Sequence, residues 1–332
     1  MAEPKPYLIN GVAGHRWTCE SNEEWRVERS KSIGASSIYT IMGLNPYQTP
    51  MELAEKMKAE LNGVFDYTQT EAMEDGHDFE PVIAAKFARR AKMEIIKASS
   101  AEFLMRRDDL PFMHCSPDRT AWLPGCAKND DNKGIVECKF TDRLIDPEDP
   151  PLSWQFQLQM QMGISGYRRG WLTWYCFAKD RSKRFGYAEY DFIPEVFADI
   201  TEVCRQFWDE CIIGDRIPDP VNVRDVVSRW PESVDGKVRT VTDDVVATYR
   251  RLKDKLVNAD ALNDEIEELK DQLKLAVEDD EAIRDPMGNL LATYKSAAGR
   301  TTIDSKKLKE KFPQAYAECS KVGNASRTFR LK

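Results

Sequence analysis

Two carboxylates and one lysine stand out in this chain: Asp118 in Ser116-Pro117-Asp118, and the pair Glu137 and Lys139 in Glu137-Cys138-Lys139. The run Gly134-Ile135-Val136-Glu137-Cys138-Lys139-Phe140 reads as a buried strand. Two-residue alternation puts Ile135, Glu137 and Lys139 on one side and Val136, Cys138 and Phe140 on the other. A carboxylate and an amine side by side on an apolar strand are costly to bury without partners. A divalent cation and a scissile phosphate would supply them. Asp118 and Glu137 then serve as metal carboxylates, the Cys138 carbonyl adds a backbone oxygen, and Lys139 orients water or neutralises charge developing on phosphorus. That is the minimum set for metal-dependent phosphodiester hydrolysis. The simpler alternative is an ion pair of Glu137 and Lys139 at a strand end, with Asp118 opening a turn.

Three further segments carry polar groups that suit the same chemistry. In Arg29-Ser30-Lys31-Ser32-Ile33-Gly34-Ala35-Ser36-Ser37, small hydroxyl residues precede the helical-looking Ile38 to Met42. Amides and hydroxyls at a helix start attract an anion, and Arg29 can close over a phosphate with a forked pair of donors. An ordinary N-cap with a surface arginine reads equally well there. Gly76-His77-Asp78-Phe79-Glu80-Pro81 is expected to open a helix, which puts Glu80 in its first turn, where the dipole favours a carboxylate. In Trp154-Gln155-Phe156-Gln157-Leu158-Gln159-Met160-Gln161-Met162, a helix places Gln157 and Gln161 on one face. Amides aimed at a site hold a lysine, a phosphate or a water without adding charge.

In this order and with these spacings the segments resemble the YqaJ-type viral recombinase nucleases, the phage lambda exonuclease-like family. The matching pieces are Arg29 to Ser36 with the following Gly-Leu-Asn-Pro-Tyr and Thr49-Pro50, Gly76-His77-x-x-Glu80, Ser116-Pro117-Asp118, Glu137-x-Lys139, and the Gln157-x-Gln159 helix ending at Ser165-Gly166. They span about half the chain. The resemblance implies an α/β, restriction-endonuclease-like PD-(D/E)XK core with a mixed central sheet flanked by helices. It implies two Mg2+ ions, replaceable by Mn2+, and 5'-to-3' digestion of linear duplex DNA that leaves 3' single-stranded overhangs. Asp118, Glu137 and the Cys138 carbonyl would bind metal, Glu80 would assist a second ion, and Lys139 would be the catalytic lysine. Gln157 would contact Lys139 or the scissile group, while Arg29, Ser36 and Ser116 would hold the 5'-terminal phosphate. The implied partners are DNA ends, a single-strand annealing protein and further copies of the chain in a ring of three. The implied setting is the bacterial host cytoplasm, with a phage or prophage gene. An endonuclease or single-strand exonuclease of the same fold in repair is the alternative, and a noncatalytic end binder is a third reading.

The elements that must position these groups follow from the hydrophobic pattern. Residues 1–24 read as a loose lead-in, with Trp25 beginning the first organised element. Helices are expected over 50–62, 79–92 and 194–208, strands near 94–98, 102–105, 112–122 and 134–140, and further strands over 171–177 and 186–192. Pro218-Asp219-Pro220 suggests a boundary. A nuclease domain is therefore expected over 1–220, with an appendage over 221–332. The appendage reads as a long helix over 241–277, either a coiled-coil strut or a helix folded on its own core, and a small α/β unit. That unit is expected to have a strand at 290–296, a helix at 304–318 and a strand at 326–331, with Lys295, Arg300, Arg327 and Arg330 as candidate DNA contacts.

Composition agrees. The 332 residues are 42% hydrophobic, enough for a large core, and eight cysteines with three histidines show no paired metal spacing. A reduced, cytosolic protein with neither signal run nor membrane span is expected. The net charge of -8 argues against broad coating of nucleic acid but allows a locally positive site, with Arg106-Arg107, Arg168-Arg169 and Arg181 to Arg184 as candidate tracks.

Overall fold

A computed structural model describes residues 3–66, 70–97, 102–321 and 327–331. The chain divides into two compact units, Met1–Arg229 and Trp230–Lys332. In the first, the order is β1 (Lys5–Ile9), β2 (Val12–Cys19), α1 (Asn22–Ser30), β3 (Ile33–Gly34), α2 (Ile38–Ile41), α3 (Pro50–Leu61), α4 (Glu71–Ala91), β4 (Glu94–Lys97), β5 (Glu102–Arg107), β6 (Met113–His114), β7 (Arg119–Trp122), β8 (Lys133–Thr141), α5 (Leu152–Ser165), β9 (Arg169–Cys176), β10 (Phe185–Asp191), α6 (Pro194–Gln206) and α7 (Val223–Arg229).

The central sheet runs β10-β9-β8-β7-β4. The β8–β9 pair is parallel and the others are antiparallel, so the sheet is mixed. The parallel pair needs a crossover, and α5 supplies it. Alternation along β8 then sorts the layers. Ile135 faces the larger core with Leu158, Met160 and Met162 of α5, whereas Val136 faces Phe87 of α4 and Trp171 of β9. The result is helix, sheet, helix, with Glu137 and Lys139 on the α5 side.

The expected lead-in is instead the hairpin β1–β2. Its two-residue turn, Asn10-Gly11, has φ of 48° and 84°, the left-handed pair that such hairpins need. Strand β2 pairs with β5 in a second, three-stranded sheet, and the Tyr7 hydroxyl donates to the Ile164 carbonyl at 2.7 Å, tying the hairpin to the end of α5. Helix α4 also begins earlier than expected, at Glu71, with Pro81 inside it. The Pro81 ring removes one ladder hydrogen bond without ending the helix. Beyond α6 the chain widens into a π-helical stretch, Phe207–Ile213.

The unit boundary lies beyond the Pro218-Asp219-Pro220 signal, because α7 is anchored to the first unit. Asp225 is buried, accepting from the Thr49 hydroxyl at 2.9 Å and from the Val221 amide at 3.0 Å. Thr49 in turn caps α3 through a reciprocal box with Glu52.

The second unit contains the 35-residue α8 (Asp243–Val277), the pair β11 (Ala282–Arg284) and β12 (Leu290–Thr293), and two short helices, α9 (Ser305–Lys311) and α10 (Pro313–Cys319). Leu252, Leu256, Leu262, Ile266, Leu269 and Leu273 of α8 are exposed. The expected helix over 304–318 is broken where Pro313 starts a new one. Residues 327–331 are not in a strand, and residues 98 and 326, expected at strand ends, lie outside the described residues. Among the described residues no helix is long and apolar enough to cross a membrane. Among the described residues no cysteine is joined in a disulfide.

Candidate active site

Strand β8 delivers Glu137 and Lys139 to the same point, as the period of two requires. The Lys139 ammonium donates to Glu137 Oε1 at 2.8 Å and to Gln157 Oε1 at 2.8 Å. Gln157 completes the triangle by donating from Nε2 to Glu137 Oε1 at 2.6 Å. One turn further along α5, Gln161 Nε2 donates to Glu137 Oε2 at 2.8 Å, so two amides on one helix face grip both oxygens of a carboxylate that is only 3% exposed. The intervening Gln159 points elsewhere, bonding the Asp191 carbonyl and the Ile193 amide, which locks α5 to the start of α6.

Asp118 ends the loop before β7, and its Oδ2 accepts from the Cys138 amide at 2.8 Å. That bond fixes Asp118 on the peptide unit between Glu137 and Lys139. Glu80 arrives from the middle of α4, not from a helix start, so the dipole argument for it does not apply. Its partner is Arg119, whose guanidinium also donates to the Asp118 carbonyl at 2.6 Å.

The electrostatics reflect crowding of like charges. Burial, then Glu137, then Glu80 push the Asp118 carboxyl well above its usual range. Burial acts to lower Lys139, but Glu137 and Asp118 outweigh it and its pKa rises, so the amine stays charged. Burial and the neighbouring carboxylates push the Cys138 thiol well up, which leaves it an inert bystander whose backbone alone bears on the site.

A hard divalent cation suits this donor set, which is all oxygen and carries three carboxylates against two cationic side chains. Among the described residues no three acidic, histidine or cysteine side chains stand ready as a cage. The ion pair with Arg119 and the amide grip on Glu137 explain why the carboxylates do not converge on one point.

The expected anion end forms a second cluster. Arg29, at the end of α1, donates from Nη2 toward Ser36 Oγ at 3.5 Å and stacks over the Trp25 ring at 4.8 Å. A cleft of about 160 Å3 beside it is lined by Arg29, Ser32, Gly34, Lys56 and His114. Ser36 lies in a 3-10 turn, Ala35–Ser37, ahead of the four-residue α2, so the helix-dipole part of the sequence argument falls away and the hydroxyl and guanidinium remain. Ser116 Oγ is buried without a hydrogen-bond partner, two residues from Asp118.

The sequence missed two groups and part of the role of a third. Arg119 reads as an ordinary residue within the strand expected near 112–122, and only its pairing with Glu80 reveals it. Gln161 was legible as sharing a face with Gln157, but its grip on Glu137 was not. His114 was silent in the sequence. It is buried and bonded through Nδ1 to Ser32 Oγ at 2.9 Å, and burial, then Arg29 and Arg106, lower its pKa well below 6.5.

Residues 24–168 match the model of the YqaJ-like viral recombinase domain. The chain is 26% identical over 314 residues to the uncharacterized protein YqaJ of Bacillus subtilis strain 168, covering 91% of each. Among solved structures, the alkaline exonuclease LHK-Exo from Laribacter hongkongensis aligns at 17% identity over 57% of this chain and 92% of that one, with a TM-score of 0.47. A phage-related exonuclease from Haemophilus somnus 129PT aligns at 13% identity over 55% and 95%, with a TM-score of 0.40.

Proposed function

From a chain whose residues 24–168 match a YqaJ-like viral recombinase domain and whose matched segment carries the Asp118, Glu137 and Lys139 cluster, we propose a metal-dependent exonuclease. It degrades linear duplex DNA in the 5'-to-3' direction and leaves 3' single-stranded overhangs for strand annealing in phage-type recombination. The core is of the PD-(D/E)XK kind. The partners of this reading are duplex ends, a single-strand annealing protein and two further copies of the chain in a ring, in the bacterial host cytoplasm.

One observation carries the reading. Buried Glu137 and half-buried Lys139 are paired at 2.8 Å through an oxygen and an ammonium that both also touch Gln157, while Asp118 is bonded at 2.8 Å to the amide between them. A mere strand-end pair needs neither the bracket nor the second carboxylate. A Mg2+ ion held by Asp118, Glu137 and the Cys138 carbonyl would polarise the phosphoryl oxygen and make water nucleophilic near neutral pH. Lys139 stays protonated beside its two carboxylates and offers a proton donor and positive charge to the phosphate. Gln157 holds that ammonium in place through a neutral contact, so none of its charge is spent on the holder. Arg29, Ser36 and the unpartnered Ser116 hydroxyl grip the 5'-terminal phosphate.

Linear duplex labelled at either end, with and without a 5' phosphate, and a closed circle test the reading in Mg2+. Cleavage is expected only on the linear forms, fastest with the 5' phosphate, and not in chelator. Arg29→Ala should slow the phosphorylated substrate roughly ten-fold to a hundred-fold, the worth of one charge-assisted contact, and hardly affect the 5'-hydroxyl one. Cutting of the circle selects an endonuclease instead, and equal losses on both ends remove Arg29 from the phosphate site.

A further inference from the structure

The Arg119–Glu80 pair bears on how many ions this centre holds. Glu80 is the one carboxylate of the three that comes from a helix, and its partner is the Arg119 guanidinium. Arg119 is the first residue of β7, where its backbone stands in register between Lys97 of β4 and Val136 of β8. Its side chain is 8% exposed, and the same guanidinium nitrogen serves both the Glu80 carboxylate and the Asp118 carbonyl. A buried guanidinium held on two oxygens and anchored at a sheet position in the middle of three strands does not swing out to solvent. Pulling it from Glu80 would leave a buried cation and a carboxylate both unpaired.

The charge count points the same way. Asp118, Glu137 and Glu80 face Lys139 and Arg119, an excess of a single negative charge. One divalent cation turns that into a small positive excess, matched to a phosphodiester. A second, with Arg119 still in place, would set two divalent ions beside two fixed cationic side chains.

We propose that the Arg119 guanidinium permanently fills the place of a second cation at Glu80, so that this centre binds a single divalent ion through Asp118 and Glu137. Arg119 is thus a positioning residue, and Glu80 serves it as counter-ion and not the metal as ligand. This rests on the cation reading of Asp118 and Glu137 given above.

The test counts ions without relying on turnover. Mn2+ is titrated calorimetrically into the full chain and into Arg119→Gln, each alone and with a 5'-phosphorylated duplex whose first linkage is a phosphorothioate. Electron paramagnetic resonance is recorded at saturation. The wild type should bind one ion per chain with an uncoupled six-line spectrum, with and without duplex. Arg119→Gln should acquire a second ion and an exchange-coupled spectrum, and adding Glu80→Gln to it should restore the single ion. In the wild-type background Glu80→Gln should leave Mn2+ affinity within roughly threefold, under 1 kcal/mol. Two ions in the wild type overturn the proposal, as does a tenfold or greater affinity loss from Glu80→Gln alone. A folded Arg119→Gln chain that still binds one ion overturns it too. If Arg119→Gln does not fold, the wild-type count and Glu80→Gln decide. A wild type that binds no Mn2+ even with duplex overturns the cation reading itself, and the proposal with it.

Discussion

At Asp118 the amide of Cys138 and the charge of Lys139 favour ionisation, but burial and two neighbouring carboxylates oppose it and win. The ionised form of Asp118 is therefore disfavoured in metal-free protein, and Asp118→Asn, which keeps the acceptor for the Cys138 amide, should relieve that cost. The expected gain is up to about 4 kcal/mol in chelator, the size of one like-charge contact at about 4 Å and an effective dielectric near 20. In excess Mg2+ the order should reverse, because only the wild type gains by ligand linkage. Denaturant melts in both conditions check this, and an Asn variant that is the weaker of the two in chelator contradicts it. His114 carries the opposite lesson for pH. Folded, it stays neutral well below pH 6.5; unfolded, it titrates near 6.5, so the unfolded chain takes up the extra proton. Its contribution to stability is thus whole above about pH 6.5 and declines as the pH falls below it. His114→Gln should flatten the fall in melting temperature between pH 7 and 5; an unchanged slope would place the titrating group elsewhere. Residue chemistry was the most legible scale in the sequence. Alternation alone put Glu137 beside Lys139, and helical spacing put Gln157 beside Gln161. Arg119 was not legible, because its role depends on a helix about forty residues earlier in the chain.

Among the elements, α5 does most to define the site, since both amides that hold Glu137 ride on it. It sits close to α6 because Gly163 has no side chain: a Cβ there would come within 2.2 Å of the Phe197 ring. Gly163→Ala should destabilise the fold by about 1–3 kcal/mol through overpacking and lower kcat by shifting Gln157 and Gln161. Unchanged melting and turnover would mean that α6 yields without moving α5. Element reading succeeded where the apolar period was long, as in α3, β8 and β9. It failed at β1–β2, whose polar, half-exposed strands hide a hairpin that only Asn10-Gly11 announces. It failed again at α4, where Pro81 imitates a helix start because proline is at home in a first turn.

For the whole molecule, a net charge of -8 means that, under the proposed function, duplex binding must rest on local basic groups and be weakened by salt. Its logarithm should fall linearly with the logarithm of salt concentration, at about 0.9 per phosphate neutralised. The boundary was not legible, since α7 is tied to the first unit through a buried carboxylate, Asp225, that meets a threonine 176 residues earlier. The amide bracket around Glu137 has a consequence at this scale. Contacts of 2.6–2.8 Å inside a buried cluster lie far within the Debye length of about 8 Å at physiological ionic strength, so mobile ions cannot dilute them. Raising KCl from 50 to 200 mM should therefore multiply KM while leaving kcat nearly constant; a kcat that falls in step with affinity would show the ammonium and carboxylate to be held by solvent-exposed charge. If the proposed function holds, neutral holders thus make the reaction centre indifferent to the ionic weather that governs how often DNA arrives.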